Sequence, residues 1–199
     1  MKKAKMLLLT AGLVLATTFT FSCEDKEKDK PAAVAKTYKK VTIGGQTWMA
    51  ENLNYNIDGS KCYNNDPDNC VKYGRLYDWN TALKVCPSGW HLPNSDEWQK
   101  LVDFTGGKET AGKKLKAKEG WLEKGNGTDE FGFSALPGGY GGSNGNFDEV
   151  GYSGIWWSTS EYENDSGSAY SQSMSRGGEY AYWINFTKSL LFSVRCVQD

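Results

Sequence analysis

The sequence predicts an α+β domain with two short helices early, an irregular, loop-rich antiparallel sheet late, and two disulfides. Three observations carry that expectation. Apolar residues recur at helical spacing twice before residue 105, each time beside a cap or a breaker. Beyond Trp121 the chain turns to glycine and aromatic residues in short runs divided by turns, which is strand-and-loop composition. The five cysteines leave four once the one nearest the N-terminus is set aside, and four cysteines in an exported chain read as two bridges.

In chain order, the first stretch is a targeting segment. Lys2, Lys3 and Lys5 form a charged start, and Met6 to Ala16 is strongly apolar but shorter than the ~20 residues a membrane span requires. Thr20-Phe-Ser-Cys23 resembles a bacterial lipoprotein cleavage box, so residues 1–22 are expected to be removed and Cys23 to carry the lipid. Residues 23–37 alternate acids and lysines around a short alanine run; nothing there can bury a surface, and the stretch reads as a tether. The acids from Glu24-Asp25 onward resemble the signal that sends Bacteroidota lipoproteins to the cell surface. The expected location is therefore the outer membrane, lipid-anchored and facing outward, with the periplasmic face as the alternative.

The domain is expected over residues 38–199. Lys40–Ile43 and Gln46–Ala50 flank Gly44-Gly45, a hairpin with a two-residue turn. A polar loop holding Cys62 and Cys70 follows. Trp79, Ala82, Leu83 and Cys86 share one face of a short helix that Pro87 and Gly89 end. The chain should then cross the core through Trp90 and enter a second helix at Asn94, where Glu97 three residues on completes a capping box. Trp98, Leu101 and Val102 give that helix its apolar face, and Lys113 to Lys118 suggests a further turn. Strands are expected at 132–136, 154–159, 169–174, 180–186 and 191–196. Cys62 and Cys70 bracket one polar loop, which favours a local bridge and leaves Cys86 with Cys196 among the three connectivities four cysteines allow.

Six blocks carry a family resemblance: Trp48-Met-Ala-Glu-Asn-Leu-Asn54, Tyr73-Gly-Arg-Leu-Tyr77, Cys86-Pro-Ser-Gly-Trp-His-Leu-Pro93, Gly132-Phe-Ser-Ala-Leu-Pro-Gly-Gly-Tyr140, Trp156-Trp-Ser-Thr159 and Ser193-Val-Arg-Cys-Val197. Together they resemble the Fibrobacter succinogenes major paralogous domain from about residue 38 to the end. That resemblance implies an exported protein or lipoprotein of Fibrobacteres or Bacteroidota and no settled activity. The Leu-Pro-x-x-x-Glu-Trp and Gly-Phe blocks are more distantly similar to formylglycine-generating enzymes, which implies a C-type-lectin-like fold.

Several function classes are then weighed on the residues. With 23 basic and 24 acidic residues, and three of the lysines inside the first 22 positions, the remainder is acidic on balance and lacks the charge of a nucleic-acid reader. His91, the single histidine, cannot form a multi-histidine zinc site and is expected to hydrogen-bond a loop. The copper-and-cysteine chemistry of formylglycine-generating enzymes would need a reactive pair near the C-terminus, where only Cys196 stands. No catalytic residue is therefore expected, and a catalyst of that kind ranks third among the readings. Asn144, Asn146 and Asp148 offer oxygen ligands for a structural calcium without EF-hand spacing, and no other cofactor is expected. The aromatic supply is the better lead. Tyr140, Tyr152, Trp157, Tyr162, Tyr170, Tyr180 and Tyr182, set among Gly, Ser and Asn, suit noncovalent recognition of a glycan or a partner protein. The alternative is a structural or assembly component of the envelope without a soluble ligand.

Overall fold

A computed structural model describes residues 37–199; the expected signal segment, Cys23 and nearly all of the tether lie outside the described residues. The hairpin forms as expected, β1 (Lys40–Ile43) against β2 (Gln46–Met49). Both turn residues have positive φ, 59° at Gly44 and 82° at Gly45, as a two-residue turn of this hand demands. Gly44 is doubly constrained, because a Cβ there would lie 2.9 Å from the Phe104 ring.

Four α-helices are found among the described residues. The polar loop after Leu53 contains α1 (Pro67–Tyr73), which starts on an Asp66 side chain accepting from the Asp68 N–H, with proline in the first turn. That start signal is legible, but the helix has only Cys70 and Tyr73 to bury, so no apolar period announces it. After β3 (Leu76–Tyr77), α2 (Trp79–Val85) begins under Asp78, whose carboxylate accepts from the Thr81 N–H at 2.8 Å. Next comes β4 (Trp90–His91). The Trp90 ring does not cross the core: it is half-buried on the outer strand of a small sheet, and its neighbour Leu92 is the buried residue. Helix α3 (Ser95–Phe104) carries the full capping box of Asn94 and Glu97. Helix α4 (Lys108–Leu115) begins well before the turn expected at Lys113.

The remaining strands are β5 (Gly138–Gly141), β6 (Phe147–Val150), β7 (Ser153–Glu161), β8 (Ser168–Ser175), β9 (Ala181–Thr187), β10 (Phe192–Ser193) and β11 (Val197–Gln198). A small antiparallel sheet runs β1-β2-β11-β4. In the larger one β7 is central: β8 and then β9 lie antiparallel on one side, while β5 and β10 pair with it in parallel, at Gly139↔Gly154 and Ser193↔Trp156. The sheet is therefore mixed and not purely antiparallel. The expected strand at 132–136 is absent; Ala135 makes one bridge to Lys116, and Ser134 sits at positive φ. The segment 191–196 is strand only at Phe192–Ser193, because the carbonyls of Val194 and Cys196 accept from Leu53 and Met49, far back along the chain in the same core cluster.

Strand β7 divides the core. Its period of two sends Trp156 to one face and Trp157 to the other. Trp156 joins Trp48, Trp98, Leu101, Phe133 and Met174, while Trp157 joins Tyr77, Trp79, Phe192, Val194 and Cys196. Both indoles are fully buried and both N–H groups are satisfied, by Asn52 Oδ1 at 2.9 Å and by the Tyr77 carbonyl at 2.8 Å. Cys62–Cys70 closes a span of 8 residues and Cys86–Cys196 one of 110, tying the end of α2 to the approach to β11.

Candidate binding face

Tyr170 lies on β8 opposite Asn185 of β9, and Trp183 is one diagonal further along the same face. Tyr162, at the start of the β7–β8 connection, meets Tyr170 edge-on at 5.4 Å between centroids; Tyr170 in turn meets Trp183 edge-on at 6.0 Å. These three rings form a ledge beside α3. Its polar rim is fixed: the Tyr170 hydroxyl donates to Glu163 at 2.9 Å, and the Trp183 N–H donates to Gln99 of α3 at 3.1 Å. The hydrogen bond to Glu163, and then burial, raise the Tyr170 pKa, so the phenol stays a donor. Asn185 and Glu163 are exposed, and the three rings are half-exposed.

The loop carrying Tyr162 and Glu163 is locked from below. Asp165 accepts from the Gly167 N–H at 2.9 Å and from the Ser168 hydroxyl at 2.7 Å, bonds that hold its pKa below the usual carboxylate value. Lys188 donates to the Ser166 carbonyl at 2.7 Å and to Glu161 at 2.8 Å. At the other end the Ser95 N–H, the first of α3, donates to Ser160 at 3.0 Å and the Thr159 N–H to the Pro93 carbonyl at 3.0 Å. The rings thus sit on a surface already ordered, which lowers the entropic cost of binding.

The seven expected face residues do not form one patch. Tyr162 and Tyr170 are brought together. Trp157 is not on any face: it is fully buried, because the alternation that puts Trp156 in one core cluster puts Trp157 in the other. Tyr140 packs edge-on against Phe192 at 6.3 Å and is half-buried. Tyr152 stacks under Arg176, 4.3 Å from its centroid, and Arg176 pairs with Glu123. Tyr180 and Tyr182 are exposed, and Tyr182 faces the opposite side of β9 from Trp183. Trp183, Gln99 and Glu163 are residues of the candidate face that sequence alone does not select. Strand parity could have found Trp183; Gln99 comes from α3, 84 positions away, with no local signal.

The calcium candidates are used locally. Asn144 Oδ1 accepts from the Asn146 N–H at 3.1 Å, and Asp148 Oδ1 from the Glu149 N–H at 2.8 Å. Among the described residues no group of three or more His, Cys, Asp or Glu is placed to hold a metal. A shallow cleft of about 280 Å³ lies beside that hairpin, lined by Lys61, Asn65, Phe147 and Leu191 among others.

His91 bonds two carboxylates rather than a loop, Asp199 through Nδ1 at 2.6 Å and Glu97 through Nε2 at 2.8 Å. Burial pulls its pKa down, but the hydrogen bonds and charges of Asp199 and Glu97 outweigh it, and the net direction is upward. Glu97 therefore ties the α3 cap to His91 of β4, and His91 in turn ties β4 to Asp199.

The profile of the Fibrobacter succinogenes major domain matches residues 41–198. The chain belongs to that family. No match to a curated protein or to a solved structure was found. The family's blocks gain physical meaning from the fold: Asn52 and Arg195, from the first and last blocks, meet in the core beside Trp156 of the fifth.

Proposed function

We propose that the chain is a lipid-anchored, outward-facing outer-membrane module that binds glycans noncovalently through the ledge of Tyr162, Tyr170 and Trp183. The observation that carries this reading is the ledge itself. Rings held edge-to-face offer open apolar flanks to the C–H faces of a sugar, while Glu163, Asn185 and Gln99 supply acceptors and amide donors to its hydroxyls. Early helices followed by a loop-rich sheet, stapled by Cys86–Cys196, support a C-type-lectin-like arrangement for such a module. Neither anchor nor location depends on a spanning helix: among the described residues no helix is long and apolar enough to cross a membrane.

The open outer edge of β9 favours the second reading, an assembly component of the envelope. The formylglycine-generating reading stays third, since Cys196, its needed thiol, is bonded to Cys86. A glycan array probed with the protein and with Tyr170→Ala tests the proposal. We expect binding to a restricted set of polysaccharides and at least a roughly tenfold loss in the variant, the scale of one stacking contact. Silence on every glycan, together with co-purification in an envelope complex, would favour the assembly reading.

A further inference from the structure

Strand β9 pairs with β8 over all seven of its residues, from Ser168↔Thr187 to Met174↔Ala181, without a bulge. Nothing among the described residues pairs with its other edge, and no backbone bond outside the β8 ladder engages Ala181 to Phe186. A regular edge of this length is a template for another strand, and proteins usually blunt such edges with charge, proline, bulges or shortness. The domain's other outer strands are blunted. Strand β6 has four residues including Asp148 and Glu149, and β1 has four beginning with Lys40. Strand β9, Ala-Tyr-Trp-Ile-Asn-Phe-Thr, has no charge, proline or glycine.

We propose that the outer edge of β9 pairs with the β9 edge of a second copy, antiparallel about a two-fold axis at Ile184. The strand is self-complementary about that residue. Antiparallel pairing sets Tyr182 opposite Phe186 of the second copy, Ile184 opposite itself, and Trp183 opposite Asn185. The first is an aromatic pair, the second a β-branched pair, and no like charges oppose each other. A charged partner strand would meet no counter-charge on β9, whereas a second copy matches it residue for residue. Each copy presents one such edge, so the pairing closes at two and does not propagate. Trp183 and Asn185 share the face of the aromatic ledge, so two ledges become one continuous surface, whatever ligand they serve.

Cysteine scanning in the full chain, expressed in cells and read on non-reducing gels, tests the pairing without reference to any ligand. Residues directly opposite across strands have Cβ atoms close enough to bridge, while residues two places off the axis do not meet their own copies. We expect Ile184→Cys to give at least about tenfold more covalent homodimer than Tyr182→Cys or Phe186→Cys alone. The double variant Tyr182→Cys/Phe186→Cys should recover the homodimer, which guards against a folding defect in any single variant. The unsubstituted chain sets the background from Cys23. Equal yields from all single variants, no homodimer from either Ile184→Cys or the double variant, or adducts whose mass shows a different protein would each overturn the proposal.

Discussion

The clasp around Asn52 and the ledge around Tyr170 are built from the same materials, rings and amides, to opposite ends. In the clasp every group is spent. Asn52 donates to the Tyr73 carbonyl at 2.8 Å and to Ser193 at 3.3 Å, while its oxygen accepts from Trp156 at 2.9 Å and from Arg195 at 2.6 and 3.2 Å. Arg195 also donates to the Phe133 carbonyl and lies over that ring at 4.4 Å. It is fully buried without a direct carboxylate partner among the described residues, and burial lowers its pKa to about 9. In the ledge the rings are half-exposed, and the carboxylate and amide at its rim keep acceptor and donor capacity open to solvent. The difference separates stability from the recognition proposed for the ledge: polar capacity used up inside holds the fold, and capacity left over outside stays open to solvent.

The most direct test of that contrast removes the hub. Asn52→Leu leaves the Arg195 guanidinium and the Trp156 N–H under-partnered in the core, and we expect a loss of about 3–5 kcal/mol in urea unfolding. Adding Arg195→Met should restore part of it, since no buried charge then remains; a double variant as unstable as Asn52→Leu would sink the account. Opening Cys86–Cys196 with paired serines should cost about 5 kcal/mol by loop entropy, against about 2.5 kcal/mol for Cys62–Cys70, because the loops close over 110 and 8 residues. Equal costs would show that strain or residual structure, and not loop length, sets the contribution.

A smaller effect follows from His91. Its folded pKa lies above the ordinary 6.5, so the protonated imidazole is bound more tightly in the folded state. That contribution is fully present below 6.5 and is lost as pH rises through the raised value. The His91 side chain is 41% exposed, so solvent screens the pair, and the effect should be modest. Unfolding measured between about pH 6 and about pH 8 should show it, and His91→Gln should flatten the profile relative to the parent. Smallest of all is the stability cost of Tyr170→Phe. It removes one exposed hydrogen bond to Glu163, and we expect the urea unfolding midpoint to stay essentially where it is in the parent. A cost on the scale of Asn52→Leu would mean that the ledge is part of the clasp.

Much of the local structure was legible. The Gly44-Gly45 hairpin, the Asn94–Glu97 capping box, the helix ending before Pro87 and the pairing of four cysteines depend on residues a few positions apart or on simple counting. The ledge was legible only in part. Tyr162 and Tyr170 could be named from their Tyr/Ser/Gly surroundings, but composition treats Trp157 and Tyr162 alike, and only one of them reaches the surface.

What the sequence determined by itself is whatever a few neighbouring side chains decide: caps, turns, breakers, and the alternation that makes β7 a strand. Tertiary structure decided the rest, because each remaining choice depends on a partner far along the chain. Arg195 finds Asn52 across 143 positions and Trp183 finds Gln99 across 84. The carbonyls of Val194 and Cys196 bond Leu53 in the loop after β2 and Met49 at the end of β2 instead of extending a strand. Burial of Trp157 follows from Phe192, Tyr77 and Trp79 closing over one face of β7. Local periodicity says that Trp156 and Trp157 point opposite ways; only the packing of both faces says that neither points to water.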